Sequence, residues 1–506
     1  MCEEVFHCSK IERKADELAK RKRCCGSVCN QADGQLIIAA MNLNVKRNRS
    51  LAVTAAKVPS DRDLLWYMMR KSAPLIVINM TMVVMQLADA LMVAHLGDET
   101  MAAILPAGLL YFVPVAFAMG LLSSVNTFVS QCLGKRWREG CGLYAWQGIW
   151  ISVFLGVAML PLGFAAPVFM SLLGHAPEVQ ALEVEYFRAI LWCGVPALAV
   201  TALSNFFVGI HRPKPLMFYA IMAMVLNIPF NYVLINGTGP IPEFGLAGAA
   251  YGTVIASFVQ MICLLCVFMS RTVKKHYRSG VRSPNVKALW DLVKIGTPAA
   301  LHMGMDILSW GVALVWMVGF SGTLHLAATT ILVRVIHVSF MPAIGLAAIL
   351  TALVGRSIGA NNVSLAVRYS TLAARLAVGY MGLFALLFFL LREPIMRFFT
   401  GNPEVIEIGA MVMVYVAAFQ VFDAVNIIYT HALRGAGDTL WPSLVNFSLC
   451  LVFFIGFGYW LCKGFPELGS RAPWMAGALY ITLAGMVFFL RWMRGPWRKF
   501  DIFASG

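Results

Sequence analysis

Twelve stretches of about 20 apolar residues recur along this chain, centred near residues 84, 117, 153, 197, 225, 258, 308, 340, 378, 417, 451 and 483. Each is long enough to cross a hydrocarbon layer of about 30 Å as an α-helix. No water is present there to satisfy the backbone, so a spanning segment must close its own hydrogen bonds, and a helix does this within itself. The chain is therefore expected to be an all-α polytopic membrane protein with twelve transmembrane helices. The composition agrees: 59% of the residues are hydrophobic and 13% charged, against about 25% charged in soluble domains. The net charge of +15 then speaks of cytoplasmic loops and anionic lipid, not of nucleic acid.

The chain repeats itself. Gly120 in "MGLLSSVNTFVSQCLG" matches Gly345 in "IGLAAILTALVGRSIG", and Gly134 matches Gly359, each 225 residues apart. "PEV" at 177–179 returns at 403–405, and Gly209 matches Gly435, each 226 apart. A steady offset implies two pseudo-symmetric six-helix bundles, an N-terminal lobe at 72–275 and a C-terminal lobe at 276–495. Six is even, so both halves enter the membrane from the same side, the parallel-repeat arrangement of transporters with sites near the midplane.

Residues 1–71 hold 14 of the 40 Lys and Arg and five of the 12 cysteines, Cys2, Cys8, Cys24, Cys25 and Cys29. They read as a basic cytoplasmic tail without a signal-peptide core, or as an extended start ahead of Met41. The cysteines and His7 lack paired CxxC spacing for a metal. Cys263 and Cys266 lie in an apolar helix and read as packing. Residues 496–506 form a second tail. Lys135, Arg136, Arg138, Arg212, Lys214 and the run "RTVKKHYRSGVR" fall in alternate connections, whereas "GHAPEVQALE" and "NGTGPIPEFG" carry no Lys or Arg. By the positive-inside rule both termini face the cytoplasm.

Three acids lie within spans: Asp89, Asp306 and Asp423. An ionised carboxylate at such depth costs at least a few kcal/mol and is a functional candidate by default. Burial disfavours the charged form, so such a group can take up and release a proton or hold Na⁺ among oxygen ligands. None has an acidic counterpart at the repeat offset. Asn79, Gln86 and Asp89 follow one stripe of their helix. Asn227 and Asn231 share a face at i, i+4. Gln420, Asn426 and Thr430 lie near the face of Asp423. Arg334 either pairs with Asp306 or Asp423 or snorkels to the interface. His302 and His337 read as packing residues. Pro106, Pro114, Pro196, Pro229, Pro298 and Pro342 supply bending points. The chain has no GxxxxGK[ST], HExxH or GxSxG motif, so it is read as neither an enzyme nor an ATP-driven pump, and no cofactor is expected.

"ADALMVAHLG", "LNIPFNYVLI" followed by "FGLAGAAYGTVIAS", and "FDAVNIIYTHALRGAGDT" resemble the multidrug and toxic compound extrusion (MATE) family over residues 70–495. The resemblance implies two lobes in a V and export of cationic or amphipathic compounds in exchange for H⁺ or Na⁺. It assigns cation-site positions to Asp89, Asn227, Asn231 and Thr253 in the N-terminal lobe and to Asp306 and Asp423 in the C-terminal lobe; Gln86, Arg334, Phe419, Gln420 and Asn426 are read beside these acids as supporting residues. Two positions depart from the pattern. Asn231 stands where some members have an acid, and Phe419 where others have a tyrosine.

The expectation is a secondary antiporter in the plasma membrane, acting as a monomer on a small molecule, a drug or metabolite. A lipid-linked oligosaccharide flippase is the alternative within transporters, although it would call for a more basic cavity. A membrane receptor or scaffold is the alternative outside that class, and three acids within spans argue against it.

Overall fold

The computed structural model describes residues 60–503 apart from 172–174, 238, 239 and 281. The tail cysteines and Met41 lie outside the described residues. Twelve helices are long and apolar enough to cross a membrane. They are α1 (Asp61–Val93), α2 (Pro106–Gly134), α3 (Arg138–Met159), α4 (Pro177–Gly209), α5 (Lys214–Asn236) and α6 (Gly245–Phe268), followed by α7 (Val286–Gly319), α8 (Thr323–Gly359), α9 (Val363–Leu390), α10 (Pro403–Ala436), α11 (Leu440–Gly464) and α12 (Arg471–Arg494).

The packing repeats with the sequence. In the first bundle α1 lies on α5, α2 on α4, α3 on α4, α4 on α6 and α5 on α6. In the second bundle the pairs are α7 on α11, α8 on α10, α9 on α10, α10 on α12 and α11 on α12. Every pair in the first list has its counterpart six helices later. The bundles meet where α1 and α2 face α8 and α7.

The repeat-matched glycines mark that seam. A side chain on Gly120 would come within 2.6 Å of the Ala299 carbonyl on α7, and one on Gly345 within 3.0 Å of Ile76 on α1. Gly134 and Gly359 let α2 and α8 cross backbone to backbone. Polar groups reinforce the same half of the seam. Asn79 donates to the Met341 carbonyl at 2.9 Å, Asn126 to Ala348 at 3.2 Å, Thr127 to Arg434 at 3.0 Å and Gln131 to Gly435 at 3.1 Å. Small residues that admit a close backbone approach, plus side-chain-to-backbone hydrogen bonds, are how helices associate where water does not drive them together.

At this end of the seam the C-terminal segment crosses from one bundle to the other. Trp497 stacks on Trp492 at 3.9 Å. Beyond it Asp501 lies 3.2 Å from Lys135, Ile502 is buried against Gly437, and Phe503 sits among Phe128, Trp137 and Tyr144.

Two helix boundaries differ from the sequence reading. Residues 174–183 read as a loop, but Pro177 opens α4 at its first helical position. The fixed φ of proline suits a helix start, and its missing N–H is not needed there. Glu183 therefore lies inside a helix. Asp89, read as mid-span, sits four residues from the end of α1 at Val93, about 6 Å of helix rise. The apolar run begins only after Lys71, so its far end, not its middle, carries the acid.

Candidate functional site

In the first bundle Asn231 on α5 donates to Asp89 Oδ1 at 2.6 Å. Asn227, one turn earlier on α5, exchanges amide hydrogen bonds with Asn231 at 3.3 Å and donates to Thr253 Oγ1 on α6 at 3.2 Å. Thr253 in turn donates to the Ala249 carbonyl at 3.1 Å. Asn227 and Asn231 are fully buried. Four of the candidate residues thus form one chain, Asp89–Asn231–Asn227–Thr253, across three helices. Gly252 makes room for it, because a Cβ there would overlap Asn231 Oδ1.

The stripe Asn79, Gln86 and Asp89 does not stay together. Asn79 bonds to α8 of the other bundle, Gln86 is exposed, and Asp89 turns to α5. At 100° per residue, ten residues leave Asp89 about 80° around α1 from Asn79, enough to face a different neighbour.

The second bundle carries its own acid centre. Asp306 on α7 accepts from Asn446 on α11 at 3.2 Å and from the Tyr480 hydroxyl on α12 at 3.3 Å. Tyr480 also reaches Asn446 Oδ1 at 2.7 Å. His302, one turn earlier on α7 and buried, lies 3.5 Å from the other carboxylate oxygen. Asp423 on α10 interacts with Asn426 on its own helix and electrostatically with Asp306. Immediately after Asp306, α7 widens into a π-helical turn at Leu308–Ala313, and α11 does the same at Cys450–Gly456 after Asn446. Such bulges recur at functional sites because they re-aim side chains without ending the helix.

The other candidates separate. Arg334 is exposed and forms no ion pair among the described residues, because the buried face of α8 runs through Leu332, Val335 and Ser339. The guanidinium that interacts electrostatically with Asp306 is that of Arg434. Gln420 is buried and bonded to Ser339 at 3.0 Å, so it joins α10 to α8. Phe419 is buried against Trp310 at 6.1 Å. Asn426 accepts from Thr430 at 3.4 Å in addition to its contact with Asp423.

The sequence reading missed Asn446, Tyr480, Arg434 and Glu183. Asn446 lies in the repeat partner of the helix bearing Asn227 and Asn231, which points to the helix but not to the acid it meets. A cavity of about 850 Å³ opens elsewhere, among Arg392, Arg397, Tyr415 and Arg471, and holds none of these acids.

Two pseudo-symmetric bundles, each with an amide-held carboxylate within its spans, define a repeat-built, multi-pass membrane transporter. The MatE family model matches residues 74–233 and 298–460, one segment in each bundle, and the chain belongs to that family, whose members are transporters rather than enzymes. It is 27% identical over 429 residues to a probable multidrug resistance protein NorM of Chromobacterium violaceum, covering 82% of this chain and 90% of that protein. It is 28% identical to the multidrug resistance protein NorM of Burkholderia vietnamiensis, covering 87% and 96%. Among solved structures, a eukaryotic MATE transporter superposes with a TM-score of 0.76 at 19% identity, covering 87% of this chain and 97% of that one. An outward-facing multidrug resistance MATE transporter superposes with 0.74 at 22% identity, covering 88% and 100%.

Proposed function

We propose that this protein is a proton-coupled antiporter of the plasma membrane that exports small cationic or amphipathic molecules. The observation that carries this reading is the carboxylate–amide pair that recurs on corresponding helices, Asp89 with Asn231 on α1 and α5, and Asp306 with Asn446 on α7 and α11. Each acid meets N–H or O–H donors that suit its ionised form. Protonation removes one of those acceptors and changes how the paired helices hold together. An organic cation and a proton then compete for the same negative charge, and proton binding releases the substrate. The placement of Lys135, Arg212, Lys274 and Arg498 at one end of the helices supports a cytoplasmic location for that end and for both termini. The seam contacts gather there, so the opposite end is the one assigned to release. The NorM relatives bear multidrug resistance names, which favours a drug-like substrate, and the in-span acids and amides favour a cation over the pyrophosphate of a lipid-linked oligosaccharide.

The test is ethidium exchange in proteoliposomes under an imposed pH gradient or an imposed Na⁺ gradient, with Asp89→Asn, Asp306→Asn and Asp423→Asn beside wild type. Transport driven by the pH gradient and lost in the variants is the expected result. Drive by Na⁺ alone would replace the coupling ion, and full activity in all three variants would overturn the site.

A further inference from the structure

We propose that His175 and Glu183 form the intake through which protons reach Asp89 from the outer end of the first bundle. The inference rests on the proton-coupled reading above. Glu183 stands in the second turn of α4 with none of its side chain exposed. Its Oε1 lies 2.6 Å from His175 Nδ1, and its Oε2 has no hydrogen-bond partner among the described residues. An unsatisfied buried carboxylate oxygen is costly. A purely structural acid would have both oxygens held.

His175, with its side chain 38% exposed, meets solvent. Tyr186 follows Glu183 at i, i+3, one turn along the same face of α4, and interacts electrostatically with Asp89. From solvent toward the acid the ionisable side chains are then ordered His175, Glu183, Tyr186, Asp89, the first two in direct contact, Tyr186 linked to Glu183 by helix spacing and to Asp89 electrostatically.

The surroundings offer few competing routes. Tyr111 and Tyr251, from the helices packed against α4, join the cluster around Tyr186. The neighbouring helix Leu162–Ser171 has no titratable residue. On α4 itself Glu178, Glu185 and Arg188 are exposed, and Arg188 is tied to the Gly163 carbonyl at 3.0 Å. His95 is exposed and bonded to Asn236. The side chains of Asp98 and Glu99 lie outside the described residues.

The transfer balances as a relay. His175 in its imidazolium form gives the Nδ1 proton to Glu183, and rotation of the neutral carboxyl turns that proton toward the unpartnered side. The Tyr186 hydroxyl receives it while passing its own proton to the Asp89 carboxylate. Water reprotonates His175, and the net event is one proton moved from the outer solvent to Asp89.

The experiment compares pH-driven ethidium efflux with ethidium–ethidium counterflow, which moves no net proton, in reconstituted Glu183→Gln, His175→Gln and Asp89→Asn. In Glu183→Gln, pH-driven efflux is expected to slow by about tenfold or more, the scale of losing a proton-transfer group, with counterflow unchanged. His175→Gln shifts the pH profile in the same sense. If Glu183→Gln does not fold, the solvent-exposed His175→Gln carries the test alone. A folded Glu183→Gln with the wild-type rate and pH profile, beside an uncoupled Asp89→Asn, overturns this inference alone. A fully coupled Asp89→Asn overturns the reading on which it rests.

Discussion

Asn231 donates to Asp89 at 2.6 Å across 142 residues of sequence, so a buried amide on α5 holds the acid at the end of α1. Its own oxygen is engaged by Asn227, which fixes which way the amide points. Asn231→Leu removes the donor while keeping the volume. The loss of a hydrogen bond to a charged group predicts a destabilisation of about 1–3 kcal/mol, read as a lower melting temperature in detergent, together with loss of pH-driven efflux. Asn446→Leu is expected to do the same at Asp306.

Gly252 is where α6 lets Asn231 fit. A methyl group there meets Asn231 Oδ1 and its backbone rather than a flexible chain end. Gly252→Ala is therefore expected to push Asn231 off Asp89 and reproduce the transport defect of Asn231→Leu, although residue 252 is neither polar nor charged. Paired efflux assays on the two variants and on their double mutant check this, with the double mutant no worse than either single one.

The two arginines suggested by sequence and by structure separate cleanly. Arg434 interacts with Asp306 and Arg334 is exposed. Arg434→Gln is expected to shift the pH dependence of efflux, because it removes a charge that acts on Asp306. Arg334→Gln leaves the pH dependence in place. A reversed pair of profiles would return the role to Arg334.

The turn "RGAGDT" has a structural explanation. Gly437 takes a left-handed conformation at φ 92° to end α10, and Asp438, 2% exposed, meets Arg491 of α12 at 2.9 Å. Burial pushes the Asp438 carboxyl up from its ordinary range and the guanidinium opposes this. Arg491→Met leaves that carboxylate buried and unpaired, a loss of about 3–5 kcal/mol. Thermal unfolding measures it, and Asp438→Asn in the same background is expected to recover part of the loss.

The C-terminal clasp responds to pH in a defined sense. The Asp501 carboxyl is held below its ordinary range, chiefly by the Phe503 amide and further by Lys135. A depressed folded value means its contribution is complete above the unfolded value of about 3.9 and fades as pH falls through the lower folded value. The pair is solvent-exposed, so it contributes little by itself, and Phe503 among its three aromatic neighbours carries most of the hold. Phe503→Ala is expected to expose the tail to carboxypeptidase at neutral pH, Asp501→Asn to do so only weakly, and acidification below about pH 4 to affect wild type but not Asp501→Asn.

The twelve spans, the duplication and the identity of the in-span acids Asp89, Asp306 and Asp423 were legible in the chain, because hydrophobic length and repeat spacing are local or periodic properties, whereas the place of Asp89 near the end of α1 was not. The grouping of Asp89 with Asn231, Asn227 and Thr253 was expected from family resemblance, and the structure places those four in one hydrogen-bonded chain. The partners of Asp306 were not legible. Asn446 and Tyr480 lie 140 and 174 residues away, and a lone amide or phenol in an apolar helix carries no mark of which neighbour it faces. Glu183 was hidden by a misplaced helix start, since "GHAPEVQALE" has the composition of a loop and only its proline signals a helix.

Length, hydropathy and repetition thus determined by themselves that this chain builds two six-helix bundles in a membrane with acids inside. The tertiary structure alone decided which groups those acids meet. Rotation about a helix axis moves a side chain from one neighbour to another within a single residue, so Arg334 is exposed while Arg434 interacts electrostatically with Asp306, and Asn79 and Asp89 part company on one helix. Those angles are set by the close crossing of backbones at residues such as Gly120, Gly134 and Gly252, which is a property of two helices together and not of either one.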